Sequence, residues 1–280
     1  MKGNILLKIS GGIGDNLVVL PAIKKLSENY NVDILLRDPN RGDYAKDTIE
    51  DICMYNPHVN EIIHYEDYGL YKKSVYKRYD KTFPLHMFYY DQEQILKDNK
   101  HRYQLIGDIV GVECSASDID VYLQDSEINK AKDFLKQYEK TIVINPAKLR
   151  SNEILNEGKF IDEKYWLEII KSFPDITFLH LGLSLDAYEI DEPNVVNLVN
   201  KTSIRESIAI LLESDYFILT DGFLQHVAGG ASKKGITIWG ATSPYTYGYN
   251  TSINLWYHPG CAPCRIQDPN YIVFDRPCCM

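Results

Sequence analysis

The residues that decide the fold lie close to the N-terminus and read NILLKISGGIGDNLVVL over residues 4–20. Residues 4–10 are rich in β-forming side chains, and the glycines that follow interrupt them, which predicts a strand that ends in a turn. Apolar residues then recur at helical spacing at Leu17, Leu20, Ile23 and Leu26. This spacing predicts a helix from Asn16 to Asn29. A strand, a glycine turn and a helix in succession predict a βα unit.

Alternation of strands and helices continues along the chain. In the first half, strands are predicted at Val32–Leu36, Glu61–His64 and Lys81–Leu85. In the second half, strands are predicted at Thr141–Asn145, Ile176–Leu181, Tyr216–Leu219 and Gly235–Trp239. This alternation predicts an α/β fold with parallel sheets covered by helices, because parallel strands need helical crossovers. We expect two Rossmann-like, doubly wound domains, residues 1–124 and 125–280, that face each other across a cleft.

The composition is that of an ordinary globular protein, with 280 residues, 45% hydrophobic residues and a net charge of -9. The acidic balance and the absence of a long basic run argue against nucleic acid as a partner. No segment resembles a signal peptide, and no apolar run approaches the length of a membrane span. We therefore expect a cytoplasmic protein with at most peripheral membrane contact, in which the six cysteines are reduced.

The glycine turn differs from the common nucleotide-binding motifs. The position of the third glycine in a dinucleotide-binding motif is Leu17, and no Lys-Ser or Lys-Thr pair forms a phosphate-binding loop. Backbone N–H groups around Gly12 and Gly14 could nevertheless face an anion or a polar substrate. The pattern allows two interpretations of Asp15, a functional carboxylate or a simple helix N-cap.

A second strand end turns into a helix at TDGFLQHVA, residues 220–228, and is followed by GITIWGATSP, residues 235–244. Amides at the start of this helix could hold a diphosphate, which Asp221 or His226 could orient. The alternative is an ordinary capped helix with a structural histidine.

Together these segments carry a family resemblance. Gly-Ile-Gly-Asp with Pro21 six positions after Asp15, and later Asp221-Gly-Phe-Leu-Gln-His226 with Trp239-Gly-Ala-Thr-Ser-Pro, resemble the two hallmark segments of the ADP-heptose:lipopolysaccharide heptosyltransferase family, glycosyltransferase family 9. The resemblance implies a GT-B fold and inverting sugar transfer without a catalytic metal. It implies an acceptor-side N-terminal domain whose general base is Asp15, and a C-terminal domain that binds the nucleotide sugar.

The same resemblance implies the partners and the donor-binding residues. The donor would be a nucleotide-diphosphate sugar similar to ADP-heptose, and the acceptor a glycan, a lipopolysaccharide core or a protein. A family lysine that contacts the donor phosphates matches Lys159 best, and the acidic residue that holds the ribose matches Asp186 or Glu189, between which spacing does not choose. The remaining expected donor contacts are Gly12, Gly14, Asp221, Gly222, His226 and Thr242.

Four cysteines, Cys261, Cys264, Cys278 and Cys279, fall in the last twenty residues. The spacing of Cys261 and Cys264 is that of a thiolate metal site, although the adjacent pair Cys278 and Cys279 does not repeat it and His258 is an alternative ligand. Some protein-modifying members of the family carry cysteine-bound iron in a similar region, so the resemblance allows structural iron or zinc. Free thiols are the alternative.

Two other functions compete with sugar transfer. A nucleotide-sugar epimerase with a GT-B-like fold also needs a carboxylate near its donor but uses no acceptor. A non-catalytic family member would bind a sugar nucleotide without turning it over. Product analysis in the presence and absence of acceptors distinguishes the three.

Overall fold

The structure is a computed structural model that describes residues 2–9, 12–36, 44–64, 77–85, 100–146, 161–182, 187–240 and 242–256. The chain divides into two compact units, Met1–Tyr122 and Leu123–Met280. The sequence-based expectation placed the division after residue 124. Each unit contains its own parallel sheet.

The sheet of the first unit has four described strands in the order β3-β2-β1-β4, and every neighbouring pair is parallel. The strands are β1 (Gly3–Ile9), β2 (Tyr30–Leu36), β3 (Glu61–His64) and β4 (Lys81–Leu85). Three consecutive residues of β1, Ile5, Leu6 and Leu7, are completely buried. Because successive side chains point to opposite faces, both faces of β1 are covered, as in other parallel sheets.

The predicted helix Asn16–Asn29 is in fact two helices. The helices in the described part of this unit are α1 (Ile13–Leu17), α2 (Leu20–Ser27), α3 (Tyr44–Cys53) and α4 (Arg102–Val110), with a short 3₁₀ turn at Ala116–Asp118. Val18 and Val19 form a turn between α1 and α2, and Pro21 lies in the first turn of α2. Proline has no N–H to continue the hydrogen bonds of α1, but it fits a helix start. The apolar spacing therefore predicted helical structure correctly, but the prediction of one continuous helix was wrong.

The sheet of the second unit has six described strands in the order β10-β9-β8-β5-β6-β7, again all parallel. They are β5 (Thr141–Ile144), β6 (Thr177–His180), β7 (Val195–Asn197), β8 (Tyr216–Thr220), β9 (Ile236–Trp239) and β10 (Ile253–Trp256). Sequence analysis missed β7 and β10. These two strands extend the two edges of the sheet.

The described residues of the second unit form the helices α5 (Asp125–Leu135), α6 (Glu163–Ser172), α7 (Ile204–Glu213), α8 (Phe223–Gly230) and α9 (Pro244–Tyr247). A core around the fully buried Trp166 of α6 includes Ile144 and Phe178 of the sheet. Arg205 of α7 donates two hydrogen bonds to Glu127 of α5, at 2.6 and 2.7 Å. Such a two-pronged pair fixes the relative orientation of two helices as well as their distance.

Both sheets have the strand order of a doubly wound α/β fold, in which the chain winds outward from the first strand in one direction and then in the other. The order reverses between β1 and β4 in the first unit, and between β5 and β8 in the second. Ligands of such sheets bind beyond the carboxyl ends of the strands at this reversal. The glycine turn after β1 and the Asp221 segment after β8 lie at these two positions.

Candidate functional site

Asp15 lies in the first turn of α1, directly beyond the carboxyl end of β1. The N-cap of α1 is Gly12 and Asp15 is the third residue of the helix, so the N-cap interpretation of Asp15 is wrong. Oδ2 of Asp15 instead accepts a hydrogen bond from the Gly12 backbone N–H at 2.9 Å. Its Oδ1 lies 3.7 Å from Nη1 of Arg102, and the Asp15 side chain remains 22% exposed. The hydrogen bond to Gly12 uses one oxygen only, and the exposed fraction leaves the carboxylate within reach of a substrate. The hydrogen bond to Gly12 and a catalytic role of Asp15 are therefore compatible.

Arg102 is a site residue that sequence analysis missed. It is the first residue of α4, its side chain is only 8% exposed, and its guanidinium forms the ion pair with Asp15. Because Arg102 and Asp15 lie far apart in the sequence, no local sequence pattern predicts that they pair. A buried guanidinium beside a carboxylate holds the carboxylate's orientation, because leaving either charge unpaired in such a place is costly.

Asn16 is a second missed residue in the glycine turn. It is 3% exposed, and its Nδ2 donates to the Gly12 carbonyl oxygen at 2.8 Å. Its Oδ1 is buried and has no hydrogen-bond partner in the part of the chain that the structure describes. A buried amide oxygen without a partner is unfavourable, and a bound water or a substrate hydroxyl would satisfy it. The Gly14 carbonyl oxygen accepts a hydrogen bond from the Val18 N–H at 3.3 Å.

The loops after β8 and β9 meet through a side-chain hydrogen bond. The Thr242 hydroxyl donates to Oδ2 of Asp221 at 2.8 Å. Sequence analysis named both residues separately as donor contacts, and the structure brings them together. This hydrogen bond fixes the orientation of the Asp221 carboxylate immediately before α8.

Gly222 precedes α8 as its N-cap and leaves open space there. Its backbone is extended, and the nearest atom that an added Cβ would meet is the Thr220 carbonyl oxygen, 3.9 Å away. Neither the backbone nor the packing therefore requires glycine at this position. The missing side chain exposes the first amides of an eight-residue helix, the arrangement that binds phosphate groups elsewhere.

His226 lies in α8 and is almost fully buried. Its Nδ1 is 2.8 Å from the hydroxyl of Tyr249, and both residues are 5% exposed. Tyr249 was not predicted to contribute to the site. The hydrogen bond to Tyr249 gives His226 a structural partner, as the alternative raised from sequence expected.

The loop after β5 is fastened to the loop after β6. Asn145 Nδ2 donates to the Leu181 carbonyl oxygen at 2.9 Å, and His180 Nε2 donates to the Pro146 carbonyl oxygen at 3.3 Å. His180 is completely buried, and its Nδ1 has no partner among the described residues. Burial lowers the pKa of this imidazole to about 4, despite the opposing effect of its hydrogen bond to Pro146. His180 is therefore neutral beneath these two loops at physiological pH.

Several predicted site residues lie outside the described residues, namely Lys159, Asp186, Cys261, Cys264, Cys278 and Cys279. The alternative ribose-binding residue Glu189 is described and is exposed. Within the described ranges, no group of three His, Cys, Asp or Glu residues is placed to hold a metal ion. The helices of those same ranges include none that is long and apolar enough to span a membrane.

Comparison with protein families and solved structures gives consistent matches. Residues 184–271 match the family model described as glycosyltransferase family 9 (heptosyltransferase). No curated protein sequence matches the chain. The structure of Escherichia coli ADP-heptose lipopolysaccharide heptosyltransferase II is similar with a TM-score of 0.67 and 14% identity, over 98% of this chain and 95% of that one.

Two further solved structures resemble this chain. A glycosyltransferase family 9 protein from Veillonella parvula matches with a TM-score of 0.69 and 13% identity, over 97% of this chain and 92% of that one. The dodecameric iron-containing glycosyltransferase TibC from enterotoxigenic E. coli matches with a TM-score of 0.63 and 12% identity, over 95% of this chain and 65% of that one. At these identities the similarity establishes the fold, and it confirms the predicted GT-B class.

Proposed function

We propose that the chain transfers a heptose-like sugar from a nucleotide diphosphate to an acceptor hydroxyl with inversion. The starting point is that the chain carries a glycosyltransferase family 9 (heptosyltransferase) domain and is thereby a glycosyltransferase. The family that the sequence motifs resembled is confirmed by this domain. The observation that carries the proposal is the position of both motifs. Asp15 and Asp221 each follow a strand that borders the reversal point of its own sheet.

Asp15 serves as the general base in this proposal. It takes the proton of the acceptor hydroxyl while the acceptor oxygen attacks the anomeric carbon. The bond from that carbon to the diphosphate breaks on the opposite face, and the nucleotide diphosphate leaves with the bonding electrons. An oxygen that already accepts one hydrogen bond keeps a second lone pair, so the Gly12 contact does not prevent proton transfer.

Groups of the second unit stabilise the charge that grows on the diphosphate. The first amides of α8 follow Asp221 and Gly222, and the positive end of a helix favours an anion. Lys159 adds a cation, Asp186 or Glu189 holds the ribose, and His226 and Thr242 orient the donor. Donors placed where charge develops favour the transition state over the ground state.

Replacing Lys159 by alanine is expected to weaken binding of the nucleotide diphosphate. Loss of a charge-assisted contact costs about 1.5 to 3 kcal/mol, or about 10- to 150-fold in Kd. Calorimetric titration with ADP measures it. Lys164→Ala is the matched control, because Lys164 is 61% exposed and pairs with Asp162 at 3.4 Å. If Lys159→Ala binds ADP as tightly as Lys164→Ala, the role passes to Lys148 or Arg150.

Product analysis tests sugar transfer itself. Incubation with ADP-heptose should release ADP and extend the acceptor only when a suitable glycan, lipopolysaccharide core or protein acceptor is present. A sugar or nucleotide product formed without any acceptor would identify an epimerase. Binding without turnover across all acceptor classes would identify a non-catalytic protein.

The cysteine-rich end of the chain has two alternative states, and elemental analysis distinguishes them. Close to one iron or zinc per chain after anaerobic purification identifies a structural metal bound by Cys261, Cys264 and one or both of Cys278 and Cys279. Metal well below one per chain, with no loss of stability in a chelator, identifies free thiols.

A further inference from the structure

Tyr249 lies against the backbone of α8. A Cβ added at Gly229 would lie 2.2 Å from two carbon atoms of the Tyr249 ring, far inside van der Waals contact. Glycine at position 229 is therefore what allows the ring to approach the helix so closely. Gly229 is three residues beyond His226, so the two positions share one face of the helix.

From this position the hydroxyl of Tyr249 reaches back along the helix to His226. The Oη and Nδ1 atoms are 2.8 Å apart, and the two rings are nearly perpendicular, at 87° with centroids 5.8 Å apart. Since each residue is 5% exposed, bulk water does not compete for this hydrogen bond. The contact is thus both oriented and protected.

The backbone that carries Tyr249 is itself held in place. Asn254 Nδ2 donates to the Tyr249 carbonyl oxygen at 3.1 Å, while Asn254 Oδ1 accepts from Trp239 Nε1 at 2.8 Å. Gln225, the neighbour of His226, donates to the Tyr247 carbonyl oxygen at 3.2 Å. Both the sheet and the helix therefore anchor the segment, so that Tyr249 cannot easily turn away from His226.

We propose that Tyr249 is a positioning residue whose hydroxyl donates a hydrogen bond to Nδ1 of His226 and thereby keeps the single N–H proton of the neutral imidazole on Nε2. This inference rests on the proposed function, in which His226 orients the donor diphosphate. A neutral imidazole has one donor nitrogen and one acceptor nitrogen, and the partner of one decides the state of the other. A phenol hydroxyl is a good donor and a bare imidazole nitrogen a good acceptor.

The chemistry of the ligand explains why this tautomer matters. Oxygens of a diphosphate accept hydrogen bonds and do not donate them. An Nε2–H group can donate to such an oxygen, whereas a bare Nε2 presents a lone pair that repels it. Tyr249 would thus select the form of His226 that is suited to an anionic ligand, without the cost of a permanent positive charge in a buried place.

Replacing Tyr249 by phenylalanine tests the role of the hydroxyl. The ring stays against Gly229, so the protein should fold, and the thermal unfolding midpoint verifies this. Loss of one hydrogen bond to His226 should lower kcat/KM for the donor by about three- to tenfold. Tyr245→Phe is the matched control, because Tyr245 belongs to the same segment and is 68% exposed. Equal losses in Tyr249→Phe and Tyr245→Phe would overturn the proposal.

Nuclear magnetic resonance of ¹⁵N-labelled histidine reads the tautomer directly and needs neither donor nor acceptor. The His226 signal is identified among the seven histidines as the one missing in His226→Gln. We expect the Nε2–H tautomer in the unaltered protein and a mixture of both tautomers in Tyr249→Phe. An Nδ1–H tautomer in the unaltered protein, or an unchanged tautomer in Tyr249→Phe, would overturn the proposal.

The two readouts separate this inference from the function on which it rests. If the tautomer behaves as expected but no nucleotide sugar is turned over, the proposed function fails and the assignment of the tautomer stands. If sugar transfer is observed while the tautomer does not respond to Tyr249→Phe, Tyr249 is a packing residue and only this inference fails.

Discussion

Asp15→Asn is expected to reduce kcat by about 10²- to 10⁴-fold while donor affinity stays unchanged. Asparagine keeps the size of the side chain, and its carbonyl oxygen can still accept the hydrogen bond from Gly12 at the start of α1. It cannot take up a proton from the acceptor hydroxyl. The substitution therefore removes the base and preserves most of the local structure. Steady-state kinetics with a verified acceptor, together with calorimetry of ADP binding, measures both quantities.

A matched control separates loss of the base from loss of a paired carboxylate. Asp118 lies in the same unit, its side chain is 10% exposed, and it pairs with Lys24 at 2.9 Å. Asp118→Asn should leave kcat within about twofold, because Asp118 lies outside the candidate site and its pairing with Lys24 affects stability only. If Asp15→Asn keeps most of its activity, Asp15 is only the acceptor of the Gly12 hydrogen bond and the partner of Arg102.

His180 is expected to make the protein less stable as the pH falls from about 6.5 towards 4. In the unfolded chain its imidazole takes up a proton near the usual pKa of 6.5, whereas burial lowers the pKa to about 4 in the folded state. The unfolded state therefore binds more protons throughout this window, and stability decreases as the pH falls through it. Above pH 6.5 both states are neutral and the effect disappears.

The expected loss between pH 7 and pH 5 is about 2 kcal/mol in the free energy of unfolding, at about 1.4 kcal/mol per unit of pKa shift. Urea unfolding at both values, for the unaltered protein and for His180→Leu, measures it. In the variant this loss should be absent, and the Pro146 carbonyl oxygen still accepts a hydrogen bond from the Tyr188 N–H.

Comparing the unaltered protein with His180→Leu cancels the contributions of other titratable groups to the pH dependence of stability. The pKa of His58 is also lowered, first by burial and second by the charge of Lys24, but both proteins contain this residue. Carboxylates with lowered pKa values, such as Glu127 beside Arg205, affect stability only at more acidic pH. An equal loss of stability in the unaltered protein and in His180→Leu would show that His180 does not cause it.

The sequence alone determined the class of fold and the positions of its two motifs. Strand and helix periods are local properties, so β1, the strands around it and the start of α8 were predictable from the residues within each element. The glycine turn and the Asp221 segment were also local, because each needs a strand end followed by a helix start. A local pattern could not decide whether a helix is continuous, as the break between α1 and α2 near Pro21 shows.

Only the tertiary structure decided which side chains meet. Arg102 lies beside Asp15, Thr242 binds Asp221, and Tyr249 holds His226. These pairs depend on strand order and on the course of each loop, which follow from packing of the whole sheet and leave no periodic trace in the sequence. Burial is equally non-local. The shifted pKa of His180 arises because neighbouring elements exclude water from its ring, and no pattern around residue 180 specifies that.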